Sequence, residues 1–185
     1  MFHMLDDNQS TLLRYIDTFS PHQTSDVALA ALKHPANYVF NSVPQLTTEC
    51  PTIGEQILTV AYDKDTCPAP GEYLIGPKYM SGEFEEVHPE RRDYSMLSFP
   101  CYRTSISIPG GASGGPVFDG RGRVFGINCT GYDGTDVSYL ARVNEALPLT
   151  AAGMMFGPND RPTDRSLLQL AATGHVVFVP PLAQS

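Results

Sequence analysis

Apolar residues in this chain come in short runs, and clusters of turn-forming residues break them apart. The runs fall at 11–16, 37–40, 56–62, 72–75, 104–108, 116–118, 123–128 and 137–140. Their length and their content of Val, Ile, Tyr and Phe read as β-strands. Gly- and Pro-bearing separators stand at 67–71, 119–122 and 132–134. The Asp119-Gly120-Arg121-Gly122 stretch between two apolar runs predicts a hairpin. Many short strands with this punctuation predict a barrel or a sandwich. A helix is predicted at 166–172, after a Thr163 or Asp164 cap and before Gly174. Residues 26–33 fit a helix and a strand equally, and 151–165, with their Gly, Pro, Asn and Asp, read as a connector.

Composition narrows the function classes. The chain has 185 residues, 42% hydrophobic and 17% charged, which is globular composition for one domain or two small halves. The net charge of -8, with no basic stripe, argues against nucleic acid as a partner. No run approaches the ~18 apolar residues of a spanning helix, so no membrane partner is expected. The first residues lack the basic start and apolar stretch of a signal peptide, which favours the cytoplasm. Cys50, Cys67, Cys101 and Cys129 have no metal-ligand spacing and read as reduced, mostly buried thiols. Neither a metal nor an organic cofactor is expected.

The chemistry concentrates at Gly110-Gly111-Ala112-Ser113-Gly114-Gly115-Pro116. A serine hydroxyl is a weak nucleophile that needs a base within reach and backbone N–H groups aimed at the developing oxyanion. Glycines around it permit the backbone shapes that such a site requires. The same residues satisfy the esterase-type elbow pattern, with Asp136 or Asp160 and His175 downstream as acid and base. That elbow must lead into a helix, whereas Pro116-Val117-Phe118-Asp119-Gly120 starts a strand and a hairpin. Upstream, Asp26 directly precedes an apolar run, as a partly buried orienting carboxylate would; alone, it reads equally as a cap or turn residue.

Gly-x-Ser-Gly-Gly-Pro before a strand, with Asp26-Val27-Ala28-Leu29 far upstream, resembles the chymotrypsin-like (trypsin fold) serine peptidases. Val87-His88-Pro89-Glu90-Arg91-Arg92-Asp93 and Phe99-Pro100-Cys101 resemble their bacterial trypsin-like branch. The resemblance covers roughly residues 3–147. It implies an all-β, two-barrel fold with catalytic residues in the cleft between the barrels, and a serine endopeptidase acting on polypeptide through an acyl-enzyme. It implies Ser113 as nucleophile, His3 as base and Asp26 as the group orienting His3. His3 lies 23 residues before Asp26, and Ser113 lies 87 after it. His22, four residues before Asp26, is the rival base. The backbone N–H groups of Gly111 and Ser113 would form the oxyanion hole. Asn128, Cys129, Thr130 and Gly131 would pair with the substrate backbone. Ser107 would form the base of the primary pocket beside Ile108, and with no acid there the expected preference is for an apolar side chain.

Two departures qualify these expectations. Only two residues precede His3, where the family places three strands. The first barrel is therefore expected to be incomplete: either translation begins upstream of Met1, or the chain is a non-catalytic remnant that binds an extended peptide. Ala112 stands where zymogen-activated relatives carry an aspartate, which implies an enzyme without that switch. The expected division is 1–45 as a remnant of the N-terminal barrel, 46–150 as the C-terminal barrel with the nucleophile, and 151–185 as an extension with a short helix.

Overall fold

The structure, a computed structural model, describes residues 2–5, 11–14, 16–32, 43–62, 77–132, 134–155 and 161–180, the first two segments by backbone alone. It is all-β with one short helix. Strands β1 (Phe2–Leu5) and β2 (Thr11–Arg14) form one antiparallel pair, and β3 (Ile16–Pro21) and β4 (Ala28–Leu32) another. Six strands then close an antiparallel barrel: β5 (Gln56–Tyr62), β6 (Pro77–His88), β7 (Cys101–Thr104), β8 (Pro116–Phe118), β9 (Val124–Gly131) and β10 (Ser138–Arg142), in the order β10-β7-β6-β5-β8-β9. A 3-10 turn at Val143–Ala146 leads to β11 (Thr150–Met154), β12 (Thr163–Ser166) and α1 (Leu167–Ala172). One six-stranded barrel is thus closed, and among the described residues the strands before it form separate pairs.

Alternation of side chains explains the barrel. Ile57, Phe84, Tyr102, Ile106, Val117, Phe125 and Leu140 point inward and fill it. The Phe84 ring meets Tyr102 and Phe125 edge-on, at centroid distances of 5.2 and 5.9 Å, the arrangement aromatic quadrupoles favour. Phe84 has no exposed surface. Phe84→Ala is expected to destabilise the fold by about 3–5 kcal/mol, read as a shift in the urea midpoint at unchanged slope. A second cluster on the outer face packs Cys101, Cys129, Tyr139 and Ala141 against Leu97, Phe99, Leu149 and Val27. Through Val27 it fastens the segment after Asp26 to the barrel.

The C-terminal elements wrap the outside. Ser166 caps α1 with a capping box: its hydroxyl accepts the Gln169 N–H, and Gln169 Oε1 accepts the Ser166 N–H. Leu167 and Leu170, one turn apart, pack with Val124, Val143 and Phe178. Leu46 bridges both Val124 and Phe178. Buried Arg123 binds Asp119 and Glu49 and donates to the Val179 carbonyl, so its charge is compensated on every side. Pair β11–β12 packs onto β3–β4, where the Thr18 hydroxyl donates to the Ala152 carbonyl at 3.2 Å.

Of the two alternatives open for residues 26–33, the structure takes the strand: β4 pairs with β3, which outweighs the Ala/Leu helix preference. It corrects three other expectations. The run at 104–108 is strand only at Thr104; β7 starts at Cys101, and the chain then leaves the sheet. The supposed connector 151–165 contributes to the pair β11–β12. Ser166, not Thr163 or Asp164, caps the helix. The 119–122 hairpin stands as expected, with Gly122 at φ 77° and its N–H on the Asp119 carbonyl. Runs 37–40 and 72–75 lie outside the described residues.

Candidate active site

The segment 105–116 is held at both ends and shaped between them. Fully buried Ile106 anchors its start inside the barrel, and Pro116 enters β8 at its end. Between them the Ala112 N–H donates to the Pro109 carbonyl, and the Gly115 N–H donates to the Ala112 carbonyl. Gly111 at φ 100° and Gly114 at φ 87° lie in the left-handed region that a side chain disfavours. A Cβ on Gly115 would stand 2.8 Å from the Val60 carbonyl, so glycine is required there for packing. Strand β9 fixes the turn through two bonds of one residue: Gly114 N–H to the Asn128 carbonyl at 2.8 Å, and Asn128 N–H to the Gly115 carbonyl at 2.9 Å.

This construction exposes Ser113 while burying Ala112 behind it. The Ser113 hydroxyl donates to the Cys129 carbonyl at 2.7 Å. The N–H groups of Gly111 and Ser113 make no hydrogen bond among the described residues. Two unengaged N–H donors beside an exposed hydroxyl can stabilise an oxyanion formed on an acyl carbon at Ser113 Oγ.

Asp26 arrives on a tight turn. The His22 N–H donates to the Val27 carbonyl, and His22 Nδ1 accepts the Ser25 N–H at 2.9 Å and the Thr24 N–H at 3.2 Å. The Ser25 hydroxyl donates to Glu145 Oε2, tying the turn to the barrel side. The turn places Asp26 beside Cys129, whose Sγ is 4.0 Å from the Asp26 carbonyl. Burial pushes the Cys129 thiol up to about 12, and the Asp26 charge adds to the rise. At neutral pH this sulfur is a protonated wall group that also accepts the Ala141 N–H at 3.1 Å. Cys129 thus joins Asp26, through its side chain, to Ser113, through its carbonyl. His3 sits on β1 opposite Leu13; its side chain lies outside what the structure describes.

The remaining sequence-derived residues divide into two groups. Asn128 to Gly131 lie together at the end of β9, next to Ser113. Strand β10 pairs with one edge of this stretch, and β8 leaves the other edge at Ile127. Beyond it, no strand pairs with that edge at Thr130 and Gly131 among the described residues. Ile108 packs against the barrel interior and against Gly131, where a Cβ would stand 2.7 Å from Ile108 Cγ1. Ser107, in contrast, is exposed and lines an open cleft of about 570 Å³ with Gln56, Met80, Glu83, Ser105 and Asp136. No residue of 110–115 or 128–131 lines that cleft. Two carboxylates, Glu83 and Asp136, face it together with Ser107.

Sequence reasoning did not single out Thr59 or Arg92. Thr59 is the one threonine in the run 56–62 and sits, fully buried, behind the Ser113 segment; a polar residue at an inward-facing strand position was its only signal. Arg92 donates to the Tyr132 hydroxyl at 2.6 Å and lies over the Tyr139 ring. It comes from the loop before β7, which Asp93 holds by accepting the N–H groups of Ser95, Met96 and Leu97. Those bonds pull the Asp93 carboxyl down to about 2. Among the described residues, no three His, Cys, Asp or Glu side chains converge to hold a metal ion, and no helix is long and apolar enough to cross a membrane.

Comparison with known proteins agrees with the fold. A family model described as "Trypsin-like peptidase domain" matches residues 7–127. The Rv3671c protein of M. tuberculosis, solved as a serine-to-alanine mutant in its inactive form, superposes with a TM-score of 0.52 at 16% identity. That alignment covers 74% of this chain and 62% of the other. The HtrA-type protease AlgW, solved as a serine-to-alanine variant with a decapeptide, superposes with a TM-score of 0.55 at 16% identity, over 77% of this chain and 40% of the other. The chain therefore spans less than two thirds of the length of these neighbours. No curated protein sequence matches it.

Proposed function

Because the chain belongs to the trypsin-like peptidase family, we propose that it is a serine endopeptidase that hydrolyses peptide bonds through an acyl-enzyme. The observation that carries this reading is the exposed Ser113 hydroxyl, flanked by the unengaged N–H groups of Gly111 and Ser113 and tied through Cys129 to Asp26. In this mechanism Ser113 Oγ attacks the scissile carbonyl carbon while His3 accepts the hydroxyl proton. The carbonyl oxygen becomes an oxyanion held by the two N–H groups. Collapse of the intermediate breaks the C–N bond, and His3 returns the proton to the departing amine. Water then repeats the addition and releases Ser113. Asp26 orients His3 and stabilises its cationic form.

The substrate backbone would add to the open edge of Thr130 and Gly131. Cys129 would offer it the carbonyl that the Ser113 hydroxyl occupies at rest. Ile108 beside Gly131 supports an apolar wall for the substrate side chain, whereas Ser107 opens onto the neighbouring acidic cleft.

A second reading, a barrel that binds extended peptide without cleaving it, draws on one observation: the Ser113 hydroxyl donates to the Cys129 carbonyl, and no base accepts from it among the described residues. A fluorophosphonate probe separates the two. The expected result is a single phosphonyl adduct, located on Ser113 by peptide mass spectrometry. An unlabelled Ser113 in a chain that still binds peptides would establish the second reading.

A further inference from the structure

The barrel interior holds two polar pairs among its apolar side chains. One joins the hydroxyls of Thr104 and Ser138 at 2.7 Å. The other lies directly behind the Ser113 segment. Asn128 Nδ2 donates to Thr59 Oγ1 at 2.7 Å, and the Thr59 hydroxyl donates onward to the Pro116 carbonyl at 2.8 Å. Thr59 is 0% exposed and Asn128 2%. Asn128 Oδ1 is buried and accepts no hydrogen bond among the described residues.

A buried amide with an unpaired oxygen is a standing cost, because the desolvated acceptor has lost water and gained nothing. Leu or Val would fill the same space without it. The location suggests what offsets the cost. Through its main chain Asn128 fixes Gly114 and Gly115, and through Thr59 its side chain fixes Pro116. One residue therefore holds three consecutive positions after Ser113. Gly115 presses on the same amide: a Cβ there would stand 3.2 Å from Asn128 Nδ2.

We infer that Asn128 and Thr59 are positioning residues for catalysis: together they clamp residues 114–116 from inside the barrel and so fix the direction of the Ser113 hydroxyl and the Gly111 and Ser113 N–H groups. The inference rests on Ser113 being the nucleophile. Neither side chain touches substrate. Their contribution is to keep the donors aligned at the moment of attack, when misplacement by about 1 Å costs roughly 100-fold in rate.

The decisive variant is Thr59→Val combined with Asn128→Leu, which removes both polar partners at once. The exchange removes the unpaired Asn128 Oδ1 but leaves the partly buried Pro116 carbonyl without its donor, so folding stability is expected to stay near that of the parent chain. A merely structural pair would then leave acylation unchanged. The clamp instead predicts a melting temperature close to that of the parent chain, with fluorophosphonate acylation of Ser113 slowed about 10–100-fold and reversible probe affinity unchanged. It also predicts faster amide exchange at Gly114 and Gly115. Thr59→Ser keeps the hydroxyl and is expected to acylate within about twofold of the parent chain; Thr59→Val alone is expected to slow acylation and also to lower the melting temperature, since it strands Asn128 Nδ2. Parent-rate acylation in the double variant, or in Thr59→Val if the double variant does not fold, overturns the clamp. If the parent chain itself is not labelled, the nucleophile assignment fails. The catalytic role of the pair then falls with it, and amide exchange decides only whether the pair holds residues 114–116: unchanged protection at Gly114 and Gly115 in the double variant rejects that hold, and faster exchange upholds it.

Discussion

Substitution of Ser113 by Ala is expected to lower kcat for peptide hydrolysis by about 10⁴–10⁶ while moving KM by less than about threefold. The size follows from removing the nucleophile, since the oxyanion donors and substrate contacts retain only the residual catalysis that remains when a triad member is lost. The small change in KM follows from the way the segment is held. Gly114 and Gly115 are fixed by main-chain bonds to Asn128 and Ala112, none of which passes through Ser113 Oγ. Loss of the hydroxyl also frees the Cys129 carbonyl for the substrate backbone. Steady-state kinetics on a peptide substrate would check both numbers. A loss below tenfold would move the nucleophile elsewhere.

His3→Ala is expected to reduce acylation as severely as Ser113→Ala, because triad members act as a unit. His22→Ala, by contrast, is expected to slow acylation less than about tenfold. His22 Nδ1 accepts two backbone N–H groups, so its remaining proton sits on Nε2. A triad base needs the opposite tautomer, with Nδ1–H on the carboxylate and Nε2 free to take the serine proton. The His22 ring is a turn brace, and its loss would act by loosening the turn that carries Asp26. Parallel acylation rates for the two variants settle the choice: a crippled His22→Ala beside a mild His3→Ala would reassign the base.

The nucleophile segment was legible because its signal is local. Glycines at 111, 114 and 115 are demanded by backbone angle or close approach within a few residues of Ser113, so the requirement is written where the function is. Barrel strands β5, β8, β9 and β10 were likewise readable from apolar runs between turns. Strand β6 was not, because much of its 12-residue length is exposed and polar and a bulge at Glu85 interrupts its alternation. Strand β4 was ambiguous because the same Ala and Leu residues suit a helix, and only the distant partner β3 decides. Ser107 illustrates a different limit. Its distance along the chain from Ser113 is fixed, but the chain leaves the sheet after Thr104, and Ser107 lines an open cleft with Glu83 and Asp136. The Thr59–Asn128 pair joins residues 69 apart, a contact that no local pattern records.

The position of Leu46, held between Val124 and Phe178, bears on how the protein comes into being on the ribosome. At about 5–20 residues per second, residue 178 is made roughly 7–26 s after residue 46. Until then one flank of the segment entering the barrel has no partner, and Arg123 lacks the Val179 carbonyl that helps compensate its buried charge. Hairpin β3–β4, which brings Asp26, similarly waits for β11. Synthesis order therefore leaves the barrel that carries Ser113 without its C-terminal supports until the last part of the described chain is made.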